Sequence, residues 1–528
     1  MRPGVRSQSP GDRHRPPQPD APGVPRLSRG RVKKMKRRAR AVPLLALMAA
    51  FLSASFQAPE PTDAGGKISP RLASAISALP AEKTIPVWVF LSDKGFDTPS
   101  PAGTALRERQ RSLSPRCLNR RAKVRAPEDI VDIDDLAVFA PYAGRVANVV
   151  SGVRSVSRWL NALSVDASSG EVAALAGLPF VRRLEPVAAF RRAPVREHPG
   201  DEIPDFTPPG ALLDFLYGPS RAQLEQINVP ALHLRGYSGQ GVTVCLLDSG
   251  FRTSHPAFFS ARLLAQWDFV NGDGDVSQDL NDPQDYSDSH GTGTWSALGG
   301  FKPGRIVGPA FGANFILGKT ETDRFEQPIE EDYWVAGLEW AESLGADVVS
   351  SSLGYIDWYT FQDMDGQTAV TTLAADRAVS RGVVVVNAAG NERNNSWGHI
   401  IAPADGFGVI AAGAVTAGGQ VASFSSPGPT YDGRIKPEVC ALGVSVWLAT
   451  ARGEEMSYGR SSGTSFATPL VAGVAALLLE ANPDWTPEDV RRALTSTASR
   501  SANPDNDYGW GIVDALAAAS FGRTPDRR

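Results

Sequence analysis

The 528-residue chain predicts an α/β fold, a parallel sheet flanked by helices on both faces, preceded by a small α+β unit. Two observations carry the main prediction. VTVCLLD and VVVVNAAG are continuous β-branched and apolar runs, too uniform for half-exposed strands and suited to a sheet buried on both faces. They alternate with helical stretches such as EDYWVAGLEWAESLG and TLAADRAVSRG, which implies crossover connections and helices on each side of the sheet. Right-handed crossovers then line successive strand ends along one edge, where open α/β sheets put ligands.

At 42% hydrophobic and 21% charged residues, the composition is that of a soluble globular protein longer than one ordinary domain. A net charge of −3 hides an asymmetry. Residues 1–40 hold thirteen Lys or Arg against two Asp, leaving 41 basic and 55 acidic residues for the rest. A basic arm can serve nucleic acid or an anionic membrane, but here Ala41–Leu52 follows directly. That apolar run is too short to span a bilayer comfortably and suits a signal-peptide core, with Ser53, Ala54, Ser55 and Ala58 as cleavage-site residues. We therefore expect residues 1–58 to be a basic extension plus signal peptide, with the true start at Met35. Export to the extracellular space or periplasm follows, with no nucleic-acid partner and no stable membrane span; an uncleaved N-terminal anchor is the alternative.

Residues 59–216 differ in character. IPVWVFLS reads as a strand, NALSVDA as a second, and FVRRLEPV as a third. A short helix starts near Ser169, with Glu171 in its first turn and Gly177 as its stop. The Arg-rich stretch RERQRSLSPRCLNRRAKVR between the first two strands reads as a loose, solvated insert. Cys117, Cys245 and Cys440 are too few for a disulfide framework and match no zinc spacing. Whether Cys245 pairs with Cys440 is open. No haem, iron–sulfur or nucleotide motif stands out, so the chemistry needs no cofactor.

Four positions in residues 217–520 carry chemistry. Asp248 ends the strand VTVCLLD, and His290 opens the helix HGTGTWSALGG. Asn391 closes VVVVNAAGN, and Ser465 lies in GTSFATP, in the turn that opens the apolar helix Leu470–Leu479. A serine hydroxyl becomes a nucleophile when a histidine takes its proton and a carboxylate orients that histidine; an asparagine amide and a helix-start N–H can stabilise the oxyanion. Singly, each has a structural reading: Asp248 as a turn cap, His290 as a surface histidine, Asn391 as a turn residue, Ser465 as a helix cap.

Jointly, in that order and with those flanking motifs, they resemble the subtilisin family of serine peptidases. ADVVSSSLG resembles that family's substrate-binding strand, while GRIKPEVCALG and YGWGIVDA resemble a later strand region and the end of its catalytic domain, the likeness running from about Tyr217 to Ser520. It implies a subtilisin-like parallel sheet and a secreted, self-processing serine endopeptidase with Asp248, His290 and Ser465 as triad and Asn391 as oxyanion donor. Ser352, Leu353 and Gly354 would pair with an extended peptide, and Ala388, Ala389 and Gly390 would line the pocket for the residue before the cut. Small side chains there leave room for a bulky apolar group, and backbone pairing implies broad specificity. A histidine base works only when neutral, so activity is expected to rise from mildly acidic to neutral pH.

The strand–helix–strand unit of residues 59–216 resembles the family's propeptide, an intramolecular inhibitor and folding assistant, with an unrelated adaptor as the alternative. The cut is expected between Phe190 and Leu216. The partners are then protein or peptide substrates and the chain's own prosegment, with the enzyme a monomer. Calcium is a structural stabiliser implied by the family. Asp273 and Asp275, in NGDGDVSQDLND, are its weak candidates; that run lacks the closing glutamate of an EF-hand and reads equally well as a solvated loop. Residues 521–528 are a short tail. The competing function is a secreted scaffold that keeps the fold without the activity. Two departures stand out: Gly293, where the family often has a second histidine, and Phe466, where methionine is frequent and is open to oxidation.

Overall fold

The computed structural model describes residues 66–96, 99–190, 216–278, 288–321, 329–452 and 455–522. The basic arm, the apolar run Ala41–Leu52, Met35, most of the expected cut region and the last residues of the tail lie outside the described residues.

The central sheet has seven parallel strands in the order Val439–Leu442, Ile410–Val415, Val384–Ala388, Val348–Ser351, Thr243–Asp248, Asn314–Lys319 and Arg262–Asp268. Thr243–Asp248 sits inside the sheet and all six of its residues are buried, which is why its sequence is a continuous apolar run. One face carries the helices Asp288–Gly299 and Thr464–Ala481, the other Glu331–Leu344 and Val370–Val379. Thr464–Ala481 is apolar all round because it is buried all round; it is long and apolar enough to cross a membrane, yet it is the core helix against the sheet. A hairpin, Val446–Arg452 with Glu455–Ser461, completes this region.

The N-terminal region forms its own four-stranded antiparallel sheet, ordered Gly152–Ser157, Ala162–Ser168, Thr84–Leu91, Val181–Pro186. The expected helix is Ser169–Ala176, closed at its N-terminus by a capping box between Ser168 and Glu171. Alternation along Thr84–Leu91 gives the sheet two apolar faces. Val87, Val89 and Leu91 pack with Ser169–Ala176, while Trp88 and Phe90 pack against Trp334, Val335 and Leu338 of the larger region.

Carboxylates of Glu331–Leu344 tie the two regions together. Asp332 Oδ2 accepts from Ser164 Oγ at 2.5 Å and Arg154 Nε at 3.0 Å, and Glu339 Oε1 accepts from Ser157 Oγ at 2.5 Å. Glu331 Oε1 accepts from Trp88 Nε1 at 2.9 Å and the Ala188 N–H at 3.0 Å, and its Oε2 from Tyr359 OH at 2.9 Å. Burial pushes the Glu331 carboxyl up to about 7 despite these donors.

The Arg-rich stretch is not loose, correcting the reading from composition. It forms the helices Pro99–Ser112 and Pro115–Arg121, and Arg120 and Arg121 are 3% and 0% exposed. Arg121 Nη2 lies 2.8 Å from both Asp135 Oδ1 and Glu342 Oε2; Arg120 also pairs with Glu342, and its Nη1 donates to Ala346 O at 2.5 Å. Arg381 joins through Asp135 at 3.2 Å and Asp132 at 2.9 Å. Burial alone would raise the Glu342 carboxyl, but Arg120 and Arg121 outweigh it and hold it at about 2. Cys117 beside them is pushed up to about 12 by burial and then by Glu342, so it is an inert thiol. All three cysteines are free; Cys245 and Cys440 do not pair.

Removing one partner of a buried ionic cluster leaves the others uncompensated. Glu342→Ala should therefore cost the intact chain about 3–5 kcal/mol, read as a lower urea midpoint. Glu331 supplies a pH test. The folded chain holds its proton from the ordinary carboxylate range up to about 7, so its contribution to stability falls as pH rises across that window. The stability gained by Glu331→Gln over the parent should accordingly be small near pH 5 and larger near pH 8; a gain independent of pH would contradict this assignment.

Candidate active site

Asp248 and His290 meet at the C-terminal edge of the central sheet. Asp248 is the last residue of its strand, and its Oδ1 accepts from the Ser249 N–H at 2.8 Å. His290 Nδ1 lies 2.6 Å from the same oxygen, and the pair is almost fully enclosed. Since a carboxylate only accepts, Nδ1 is the donor in this contact. Asp248 Oδ2 accepts from Thr294 Oγ1 at 2.9 Å. Thr294 was not singled out from the sequence, although its place four residues after His290 puts it on the same helix face. Gly291 lets this helix lie on the strand end, for a Cβ there would stand 2.0 Å from Gly250 O.

Ser465 is the second residue of the helix Thr464–Ala481, where backbone N–H groups have no intrahelical acceptor. Its hydroxyl donates to Ser352 O at 3.2 Å, and Ser352 Oγ donates to Ser465 O at 2.7 Å, so the helix start and the strand Val348–Ser351 are locked reciprocally. Among the described residues His290 Nε2 is buried without a hydrogen-bond partner. Rotation of the Ser465 hydroxyl from Ser352 O toward Nε2 is what a serine–histidine relay requires; catalytic hydrogen bonds are commonly long in unliganded enzymes. Asn391 Oδ1 accepts from the Thr464 N–H at 2.9 Å and from Thr464 Oγ1 at 3.0 Å, so the amide Nδ2 is the end left to donate.

Leu353 is buried and its carbonyl accepts from Asn387 Nδ2 at 2.9 Å, while Ser352 is buried with its hydroxyl and carbonyl both bonded to Ser465. Ala388, Ala389 and Gly390 close the neighbouring strand, with Gly390 at φ +110°. The space between these two segments holds the side chain of Ile401. Ile401 lies across it, its Cδ1 2.1 Å from where a Gly354 Cβ would stand and 3.2 Å from that of Gly390. The run HIIAPA around it carries no periodicity that would have shown this.

Asp273 and Asp275 each accept from groups two residues further along the chain. Asp273 Oδ1 accepts from the Asp275 N–H at 2.9 Å, and Asp275 Oδ1 from the Ser277 N–H at 3.0 Å and Oγ at 2.7 Å. Lys319 Nζ supplies the nearby positive charge, 3.2 Å from Asp268 Oδ2 and donating to Ser277 O at 3.0 Å. Among the described residues there is no group of three or more acidic, histidine or cysteine side chains that could hold a metal ion. Asp279 and Asp282 lie outside the described residues.

A family model described as "Subtilase family" (Peptidase S8) matches residues 239–511, more than half of the chain. The chain belongs to the subtilases. A second model, "Peptidase S8 propeptide domain, Bacteroidota", matches residues 86–199, so the N-terminal sheet is the prosegment of this subtilase. The chain is 38% identical over 303 residues to subtilisin amylosacchariticus of Bacillus subtilis subsp. amylosacchariticus, covering 56% of this chain and 70% of the relative. It is equally similar to the subtilisin of Bacillus pumilus, covering 97% of that protein. Among solved structures it resembles fervidolysin from Fervidobacterium pennivorans, a keratinolytic enzyme related to subtilisin, with a TM-score of 0.57 and 26% identity over 73% of this chain and 60% of that one. This subtilase is a serine-type endopeptidase.

Phe466 is 3% exposed, and its ring centroid is 5.4 Å from that of His290. A phenyl ring there cannot form a sulfoxide. The enzyme should keep its activity through peroxide treatment that inactivates a Phe466→Met variant; rapid loss in the parent, with oxidation mapped beside Ser465, would contradict this.

Proposed function

We propose that the subtilase cuts peptide bonds through an acyl-enzyme on Ser465, with His290 as general base and Asp248 as its orienting partner. The buried 2.6 Å contact between His290 Nδ1 and Asp248 Oδ1 carries the reading, because it fixes the tautomer that leaves Nε2 basic. As Ser465 Oγ attacks the carbonyl carbon, its proton passes to His290 Nε2 and the carbonyl π pair moves onto oxygen. Asn391 Nδ2 and the Ser465 N–H then stabilise that oxyanion. Collapse of the tetrahedral intermediate expels the amine, which takes the proton from Nε2. Water repeats the sequence on the ester and frees the carboxylate. Asp248 remains ionised throughout and stabilises the imidazolium.

Ser352 and Gly354 would pair with the main chain of an extended substrate. That pairing reads no side chains, so selection rests on the pocket alone. The prosegment offers a parallel: its Ala189–Phe190 pairs antiparallel with Ile329–Glu330. A peptide strand is thus already added beside the catalytic domain, which supports a prosegment that blocks the cleft and is cut beyond Phe190 by Ser465 of the same molecule. Within this reading the signal and prosegment are removed on the way to a secreted, monomeric enzyme.

Labelling with a fluorophosphonate tests the nucleophile. The parent should label and Ser465→Ala should not, and that variant should accumulate as the larger precursor. Mature-sized Ser465→Ala, made without other proteases, would sink self-processing. Asn391→Ala should lower kcat by about 10²–10³ with little change in KM, a range established for a side-chain oxyanion donor in subtilisin itself.

A further inference from the structure

We propose that Ile401 is the specificity-determining residue of this endopeptidase and that it restricts the residue on the acyl side of the cut to glycine, alanine or serine. The inference rests on the proposed catalytic reading and deepens it. The two pocket walls are joined by one short segment. Its Ile401 N–H donates to Ala389 O at 3.3 Å, and its Ala402 O accepts from the Tyr355 N–H at 2.9 Å. That segment is therefore the floor between Ser352–Gly354 and Ala388–Gly390, and its side chain is the one that decides depth.

The Ile401 side chain fills the floor from both sides. Its Cδ1 and Cγ1 stand 2.1 and 2.7 Å from the position a Gly354 Cβ would take, and its Cγ2 stands 3.0 Å from that of Gly390. Ser426 Oγ is 2.7 Å from the same Gly390 position. Both wall glycines present bare Cα atoms, and the volume this frees is occupied by isoleucine. Ser426 Oγ accepts from the Glu392 N–H at 2.9 Å, and the Ser426 N–H donates to Gly390 O at 2.9 Å, so that side of the pocket is held as well. Ile401 is only 4% exposed and β-branched, which leaves few rotamers into which it can retreat. A methyl or hydroxymethyl group can rest on this floor. A benzyl or isobutyl group would need the volume the side chain already holds.

The test uses enzyme self-processed from the full chain and peptide amides that differ only in the residue before the cut. The parent should cleave after alanine with a kcat/KM at least about tenfold above that after phenylalanine, within the range by which a filled apolar pocket discriminates. Ile401→Gly should raise the phenylalanine-to-alanine ratio by at least about tenfold, mainly through KM for the phenylalanine peptide; Ile401→Ala should give an intermediate ratio and guards against a poorly folded glycine variant. A fluorophosphonate label on Ser465 in the same preparation separates the two readings. Labelled parent that prefers phenylalanine overturns the pocket inference alone. Unlabelled protein overturns the catalytic reading and this inference with it.

Discussion

Burial of the helix Thr464–Ala481 is the constraint on which the site depends. Its residues from Thr464 to Leu479 are buried, and no polar stripe lets it sit at a surface. It enters the core where Gly473 admits Pro309: a Cβ there would come within 2.2 Å of the proline ring. Once the helix is seated, its first turn can lie only at the C-terminal edge of the sheet, beside the end of Val348–Ser351. Asp248 and His290 reach the same edge from a neighbouring strand and its facing helix. The geometry of the proposed site is thus a consequence of packing, with hydrogen bonds from Thr294, Ser249 and Thr464 making the final adjustments.

The prosegment shares in that packing. Trp88, Phe90, Trp159 and Leu160 belong to the same apolar cluster as Trp334, Val335 and Leu338. Beyond this apolar contact, the helical insert contributes Arg120, Arg121 and Asp135 to an ionic cluster completed by Glu342 and Arg381 of the catalytic domain. The two kinds of contact do different work. Apolar area supplies attraction, whereas buried charges tolerate only one register, since any other leaves a charge desolvated and unpaired.

Much of the fold and the core of the site was legible because those features are local. Continuous apolar strands, the capping box at Ser168 and the motifs around Asp248, His290, Asn391 and Ser465 each lie within a few residues of sequence. The insert was misread because a run of arginines ordinarily means a solvated face, and the partner that buries Arg121 stands 221 residues away. Ile401 escaped for the same kind of reason. Its neighbours in space, Gly354 and Gly390, follow two different strands, and an isoleucine in HIIAPA reads only as one more apolar residue.

Gly293 and Phe466 were two separate oddities in the sequence and are neighbours in space. A Cβ at Gly293 would stand 3.4 Å from Phe466 Cε1 and 3.4 Å from Leu448 Cδ1. A Cβ at 293 would thus touch the phenyl ring at ordinary contact distance, and any longer side chain there would share that space with the ring. The two positions are one choice. Residues in contact are coupled, so the effect of a substitution at either position depends on which residue the other already holds.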